Sequence, residues 1–420
     1  MQRIIYSFFL ILISAFVLIV AFLSTFGVET AKFNNIVIKE IKKKDPNIQL
    51  SLDKIKVKFD IKKIQLYLST VKPQIIFQDI RIPINEIKLY SKIISILKSK
   101  SEINRVIVSL ENFNAKDVQK LAIRIKPSNF KTYLLNNVKN GEIEKILIDI
   151  KLDDEFKIND YKVNGSIKKV TFKVTEDLLI KNVSFNFISD KNLTLINSLN
   201  ARYENISISN GAVTLKRDKE INIDGNFNSQ FNLSENLINK LFFKDKVKFL
   251  EKNKVNAKGS LLHSFYLKID ENFKLVDYDY KSNGQILESQ IILTDKLENK
   301  IIGKPIKKIL MSKTKLIINL NKKNNNLLSF QGLYNLGGKE NKKFKIDHNL
   351  SKKTPKYFID FDLAENIFLE FINFKSDNKN KSNIKSEVNL SKNNLIFKYI
   401  KFTEGQNLIS IDDLKIKNQN

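Results

Sequence analysis

The chain has 420 residues, with 72 Lys+Arg against 45 Asp+Glu and a formal net charge of +27. It contains no Cys, no Trp and two His, which excludes a disulfide framework, a thiolate metal site, a Cys nucleophile and a multi-His metal centre. Gly 12 and Pro 6 amount to about 4% of the chain against a usual ~12%, too few glycines for the phosphate loops of a doubly wound nucleotide-binding fold. The 42% apolar content, including 30 Phe, is enough to bury a large surface, so a disordered chain is also excluded.

Residues 4–28 form an uninterrupted uncharged run of Ile, Leu, Phe and Val. As a helix it extends about 37 Å, enough to cross a ~30 Å hydrocarbon core. Arg3 precedes it; Glu29 and Lys32 follow. The run exceeds the h-region of a signal peptide, and Glu29 stands where a cleavage site needs a small residue, so an uncleaved anchor is expected. Lys32, Lys39, Lys42, Lys43 and Lys44 outnumber Arg3, which by charge alone keeps the body in the cytoplasm. Long domains translocate regardless of charge, so orientation stays open at this point.

After the anchor, residues 31–44 are predicted as a short amphipathic helix with Phe33, Ile36, Val37 and Ile41 on one face. Residues 91–98 and 236–250 are predicted as two more short helices. Most of the remainder alternates. In residues 54–61, Ile55, Val57, Phe59 and Ile61 point one way while Lys54, Lys56, Lys58 and Asp60 point the other. That period of two marks a strand with one wet and one apolar face. Further rows are Ile146, Ile148, Ile150 and Leu152; Val170, Phe172 and Val174; Val183, Phe185 and Phe187; Ile206 and Ile208. Val213 and Leu215 lead through residues 217–220 to Ile221 and Ile223, a hairpin. Leu316, Ile318 and Leu320 lead to Leu328 and Phe330, a second one. Ile359, Phe361, Leu363, Val388, Leu390, Leu395 and Phe397 continue the pattern, with a last strand over 408–416. Asn, Asp and Lys clusters make the turns.

One apolar face per strand, repeated without a Pro/Gly/Ser linker, predicts a mainly β protein. A single closed barrel uses only a fraction of these strands, and sandwiches need domain boundaries that are not visible. An elongated, curled antiparallel sheet forming an apolar groove, with few short helices, fits best. The expected organisation is 1–30 anchor, 31–140 an N-terminal module and 141–420 an extended β-groove. About two dozen strands side by side extend on the order of 100 Å. The groove lining is predicted as Ile55, Val57, Phe59, Ile61, Ile146, Ile148, Val170, Phe172, Val174, Val213, Leu215, Ile221 and Ile223. Lys42, Lys43 and Lys44 are predicted to touch anionic headgroups, at about 1 kcal/mol each.

Residues 50–125 carry an ordered set of motifs: IKVKFDI, IIFQDIRIPINEIKLY, SKIISILK and KSEINRVIVSLENFNA, followed by NGEIEKI from Asn140. This order resembles the N-terminal module of the AsmA-like superfamily. Lys100 replaces a small turn residue there, and Asn112-Phe113 stands where a Pro-containing turn is common. The resemblance implies a bridge-like protein, similar to the chorein type, whose β-groove carries phospholipid tails. It implies an inner-membrane anchor, a periplasmic body, a role between inner and outer membranes in outer-membrane homeostasis, and no cofactor. A membrane-tethered scaffold for outer-membrane proteins, with packed β domains, is the alternative.

The charge does not require nucleic acid as a partner. The lysines are spread over polar strand faces and form no dense basic arm. No enzyme is expected: there is no Walker A loop, no G-x-S-x-G elbow and no H-E-x-x-H. The cluster Asp153-Asp154-Glu155 is predicted as a hairpin turn.

Overall fold

The computed structural model describes residues 2–31, 34–44, 46–71, 73–91, 103–124, 132, 135–153, 155, 157–174, 178–237, 253–272, 274–297, 305–323, 326–338, 340–350, 355–363, 365–377, 380–391 and 394–417. Its dominant element is one antiparallel sheet of 20 strands. The chain divides into two compact units, Met1–Ala201 and Arg202–Asn420. The boundary falls inside a strand, whereas residue 140 lies inside another. The helix predicted over 91–98 falls outside the described residues after Ser91, and that over 236–250 falls outside them after Leu237.

The first unit opens with α1 (Gln2–Thr25). Its stretch Tyr6–Thr25 is long and apolar enough to cross a membrane, and none of it is buried against the protein. Gly27, at φ 72, ends the helix; its N–H and that of Phe26 both donate to the Phe22 carbonyl. A Cβ on Gly27 would meet Val57 O at 2.9 Å, so only glycine fits this close junction. β1 (Val28–Thr30) follows at once and pairs with β3 (Lys54–Asp60), Val28 opposite Val57. Between them lie α2 (Asn34–Lys44) and β2 (Ile48–Ser51).

β4 (Gln65–Val71), β7 (Ile84–Ser91), β8 (Ile103–Asn114), β9 (Val138–Leu152), β10 (Ile158–Lys173), β11 (Leu179–Ser189) and β12 (Leu193–Tyr203) extend the large sheet. Two short strands leave it: β5 (Gln74–Phe77) and β6 (Ile80–Ile82) join β2 in a separate three-stranded sheet. The segment IIFQDIRIPINEIKLY is therefore three strands in two sheets. Residues 112 and 113 lie within β8, and its end leads into α3 (Ala115–Arg124), a helix the sequence reading did not identify. Asn114 caps α3, its Oδ1 accepting the Asp117 N–H at 2.9 Å. The turn after β9 is set by Asp153, whose Oδ1 accepts the N–H groups of Glu155 and Lys157.

α2 and the three-stranded sheet close over one face of β3, β4, β7 and β8. Val37, Ile38 and Ile41 of α2 pack with Leu50, Leu52, Ile55, Ile75 and Ile87, and Leu68, Leu89, Val106 and Val108 pack against that cluster. The apolar alternation of α2 and of its neighbouring strands thus converges on a filled core.

The second unit contains β13 (Ile206–Arg217), β14 (Ile221–Leu233), β15 (Lys254–Ile269), β16 (Leu275–Leu297), β17 (Ile306–Asn321), β18 (Leu327–Asn335), β19 (Lys342–Asn349) and β20 (Lys356–Asp362). A two-stranded excursion, β21 (Phe368–Leu369) and β22 (Phe374–Lys375), precedes β23 (Ser382–Ser391), β24 (Asn394–Glu404) and β25 (Asn407–Lys417). Both predicted hairpins form: Leu215 pairs with Ile223, and Leu316 with Phe330.

Bulges keep the apolar residues in phase. In β10, Ile167 and Val170 are an odd number of residues apart, yet both share one face, opposite Phe185 and Val183. The extra residue is taken up near Lys169, at φ 54. Asn182, at φ 53, plays the same part in β11. In the second unit Asn210 and Lys313 do so in β13 and β17. Each bulge bends its strand and increases the local twist.

Candidate functional site

Residues directly opposed in an antiparallel ladder share a face, so the registers define which apolar rows join. In the first unit Val57 is followed across the sheet by Leu68, Leu89, Val106, Ile150 and Tyr161. The neighbouring row runs Ile87, Val108, Ile148 and Val163, and the next Leu110, Ile146, Gly165 and Phe187. Val57, Ile146 and Ile148 therefore lie on one face. Phe59 pairs with Leu66 on that face; Phe172 pairs with Ile180, two places along from Val170 opposite Val183.

Three predicted lining residues are placed elsewhere. Ile55 is 0% exposed and sits in the packed core under α2, so it lines no open surface. Ile61 lies beyond the end of β3, in the β3–β4 turn, because the Asp60 carboxylate turns the chain there. Val174 lies beyond β10, in the turn to β11, its N–H donating to the Leu178 carbonyl at 2.8 Å. Lys42 is exposed on α2; the side chains of Lys43 and Lys44 are outside the described ones.

The longest rows belong to the second unit. One runs Ile208, Ser229, Leu261, Gly284, Leu316, Phe330, Ile346, Ile359, Ser386, Ile400 and Ile411. The next runs Phe227, His263, Ser282, Ile318, Leu328, His348, Tyr357, Val388, Phe397 and Leu414. Val213, Leu215, Ile221 and Ile223 share this face, opposed to Gly225, Ile223, Arg217 and Leu215 on the adjoining strand, and continue into Phe265, Leu267 and Ile269 of β15. Phe227, Phe265, Ile318, Phe330, Ile346, Ile359 and Ile400 are only partly buried. The Phe265 ring lies over Gly225, where a Cβ would meet it at 2.4 Å, and Phe187 lies likewise over Gly165. Glycine opposite phenylalanine thins the side-chain layer at these points. At β24 the face is covered: Phe374 of β22 packs edge-on to Phe402, ring centroids 5.5 Å apart.

The opposite face is ionic. Lys268 meets Glu220 at 2.6 Å, Lys345 meets Asp347 at 2.8 Å and Lys385 meets Asp360 at 3.3 Å. The lysines thus occupy the wet side of the sheet. These exposed pairs add little stability individually.

One polar chain crosses the apolar face. His263 is 7% exposed and bridges two hydroxyls: Nε2 lies 2.7 Å from Ser229 Oγ and Nδ1 lies 2.8 Å from Tyr280 Oη. Its ring stacks on Phe227 at 4.4 Å. A neutral imidazole donates to one hydroxyl and accepts from the other, which satisfies the buried ring. His348 stacks on Tyr357 at 4.0 Å further along the same row. Burial holds both histidines below the ordinary value of 6.5 and pushes Tyr280 and Tyr357 above 10.0. The unfolded chain then binds protons that the folded chain does not. Stability is full above pH 6.5 and falls as the pH drops below it. Urea midpoints measured from pH 8 downward are expected to show this loss, and His263→Asn, which keeps a polar group but cannot charge, reduces it.

The sequence reading missed the histidine rows because a single histidine within a strand carries no periodic signal. The rows of β18 and β20 are visible as alternation, but they cannot be joined to each other or to β19 without the register. Among the described residues, no group of three or more His, Asp or Glu could hold a metal ion. The arrangement offers an extended, weakly selective apolar surface with one embedded hydroxyl–imidazole chain. No protein-family model matches the chain, and no curated protein or solved structure matches it either.

Proposed function

We propose that this protein holds phospholipid acyl chains on the apolar face of its sheet and carries them between membranes. In this reading α1 anchors the chain in a bacterial inner membrane, the body lies in the periplasm, and lipid moves toward the outer membrane. The observation that carries the reading is the continuity of half-buried apolar rows from β13 to β25. Each CH₂ withdrawn from water contributes about 0.8 kcal/mol, so many equivalent sites hold a tail without a specific bond. Such a surface needs no catalytic residue. The resemblance of residues 50–125 to AsmA-like proteins supports the compartment and the cargo.

Photo-crosslinking side chains at Phe59, Phe172 and Leu215 test this. Expected is a phospholipid adduct, read by mass spectrometry of the purified full chain, at Phe172 and Leu215, with a smaller yield at Phe59 beside the closed core. Protein free of lipid adduct at all three positions refutes the proposal. The second reading, a membrane-tethered scaffold for outer-membrane proteins, is favoured by the filled core around Ile55. It requires the rows of the second unit to be closed in the same way.

A further inference from the structure

The tip of the β3–β4 hairpin has an unusual surface. It consists of Ile61, Lys62, Lys63 and Ile64, and its two isoleucines are 59% and 71% exposed. Ile64 has φ 51, in the left-handed region that a β-branched residue rarely adopts. The tip is nonetheless held firmly. Asp60 Oδ1 accepts the backbone N–H groups of Lys62 and Lys63 at 3.1 and 3.2 Å. Lys63 Nζ lies 3.7 Å from Asp60 Oδ2 and 4.6 Å from the centre of the Tyr90 ring. The Lys63 ammonium is thus drawn back toward the sheet, while both lysines stay exposed. A rigid turn that presents two large apolar side chains outward does not do so to bury them in its own fold.

The register places this tip beside the anchor. β1 follows α1 directly and runs antiparallel to β3, so β3 heads back toward the side from which α1 arrives. Lys58 Nζ donates to the Thr25 carbonyl at the end of α1, 3.2 Å away. From Val57, level with Val28, the strand continues about 13 Å to Ile61. At the same junction Phe26 and Val28 are exposed. The isoleucines of the tip thus lie on the side of β1 from which α1 arrives, and α1 is the one helix, among the described residues, long and apolar enough to cross a membrane.

We propose that the β3–β4 tip docks into the headgroup layer of the leaflet from which α1 emerges, with Ile61 and Ile64 at the acyl boundary and Lys62 among the lipid phosphates. The inference rests on the membrane placement of α1 proposed above. An apolar pair flanking a lysine suits the interface, where the side chain's stem and charge partition to different depths. Docking at two points, helix and hairpin, fixes the tilt of the first strands over the bilayer and sets Val57 close to its surface.

The absence of native cysteine makes the test direct. The full chain is labelled with an environment-sensitive fluorophore at Ile61→Cys, Ile64→Cys, Leu12→Cys or Ile158→Cys, one site at a time. Each is reconstituted in phosphatidylcholine vesicles with or without phosphatidylglycerol. Lipids carrying a nitroxide high on the acyl chain serve as quenchers. Expected is quenching at positions 12, 61 and 64 at least about twofold above that at position 158, which is exposed at the start of β10. Lys62→Glu is expected to lower quenching at position 64 in the anionic vesicles. Quenching at position 12 alone overturns the docking while leaving the anchor intact. No quenching at position 12 removes the anchor and the docking together.

Discussion

Ile55→Ala is expected to destabilise the first unit by about 2–5 kcal/mol, the range for emptying a large aliphatic side chain from a filled core. Ile55 is fully buried among Leu50, Leu52, Ile75 and Ile87, with α2 packed above. Ile55 lies in a strand paired on both sides, with β1 and β4, so the site has little freedom to collapse. Ile61→Ala, three alternations along the same sequence row, is expected to change stability by less than about 0.5 kcal/mol, because that side chain already faces solvent. Chemical denaturation of the two variants checks the contrast. Equal losses would mean that Ile61 is buried, or Ile55 exposed, in the folded chain.

Ile346→Glu is expected to separate the two functional readings. Ile346 lies mid-row, between Phe330 on β18 and Ile359 on β20, and is only partly buried. If acyl chains occupy this face, the face is open when empty and the carboxylate keeps much of its water. The fold then loses about 1.5 kcal/mol or less. Lipid capture by a photoprobe at Phe330 falls at least about tenfold, since 1.4 kcal/mol suffices and fewer than two buried CH₂ groups supply it. If the face is packed shut, as in the scaffold reading, the same substitution buries an unpaired charge and costs several kcal/mol. A denaturation midpoint together with an adduct yield distinguishes the two outcomes. A stable variant with undiminished capture would refute the lipid path through this row.

The two isoleucines, 55 and 61, show where sequence reading reaches its limit. Both belong to one unbroken alternation, and nothing in their neighbours separates them. Alternation reports that a side chain avoids the wet face; it does not report what lies above the other face. For Ile55 that is α2 and a second sheet, contributed by residues 34–52 and 74–82. For Ile61 it is solvent, because Asp60 ends the strand. The bulges were more accessible than the packing. Where the alternation slips by one between Ile167 and Val170, the structure inserts a bulge near the left-handed Lys169. That slip is a readable signal.

Local physics therefore determined much by itself. The apolar run made α1, period-two rows made the strands, and Asn, Asp and Lys made the turns between consecutive strands, because each depends on residues close in the chain. The +27 charge settled onto the ionic face by the same alternation. Only the tertiary structure decided which rows meet, that β5 and β6 leave the large sheet, that α3 follows β8, and that both histidines stand in one row. Those outcomes depend on register, and register is set by pairing energies between segments far apart in sequence, to which a single strand's pattern is blind.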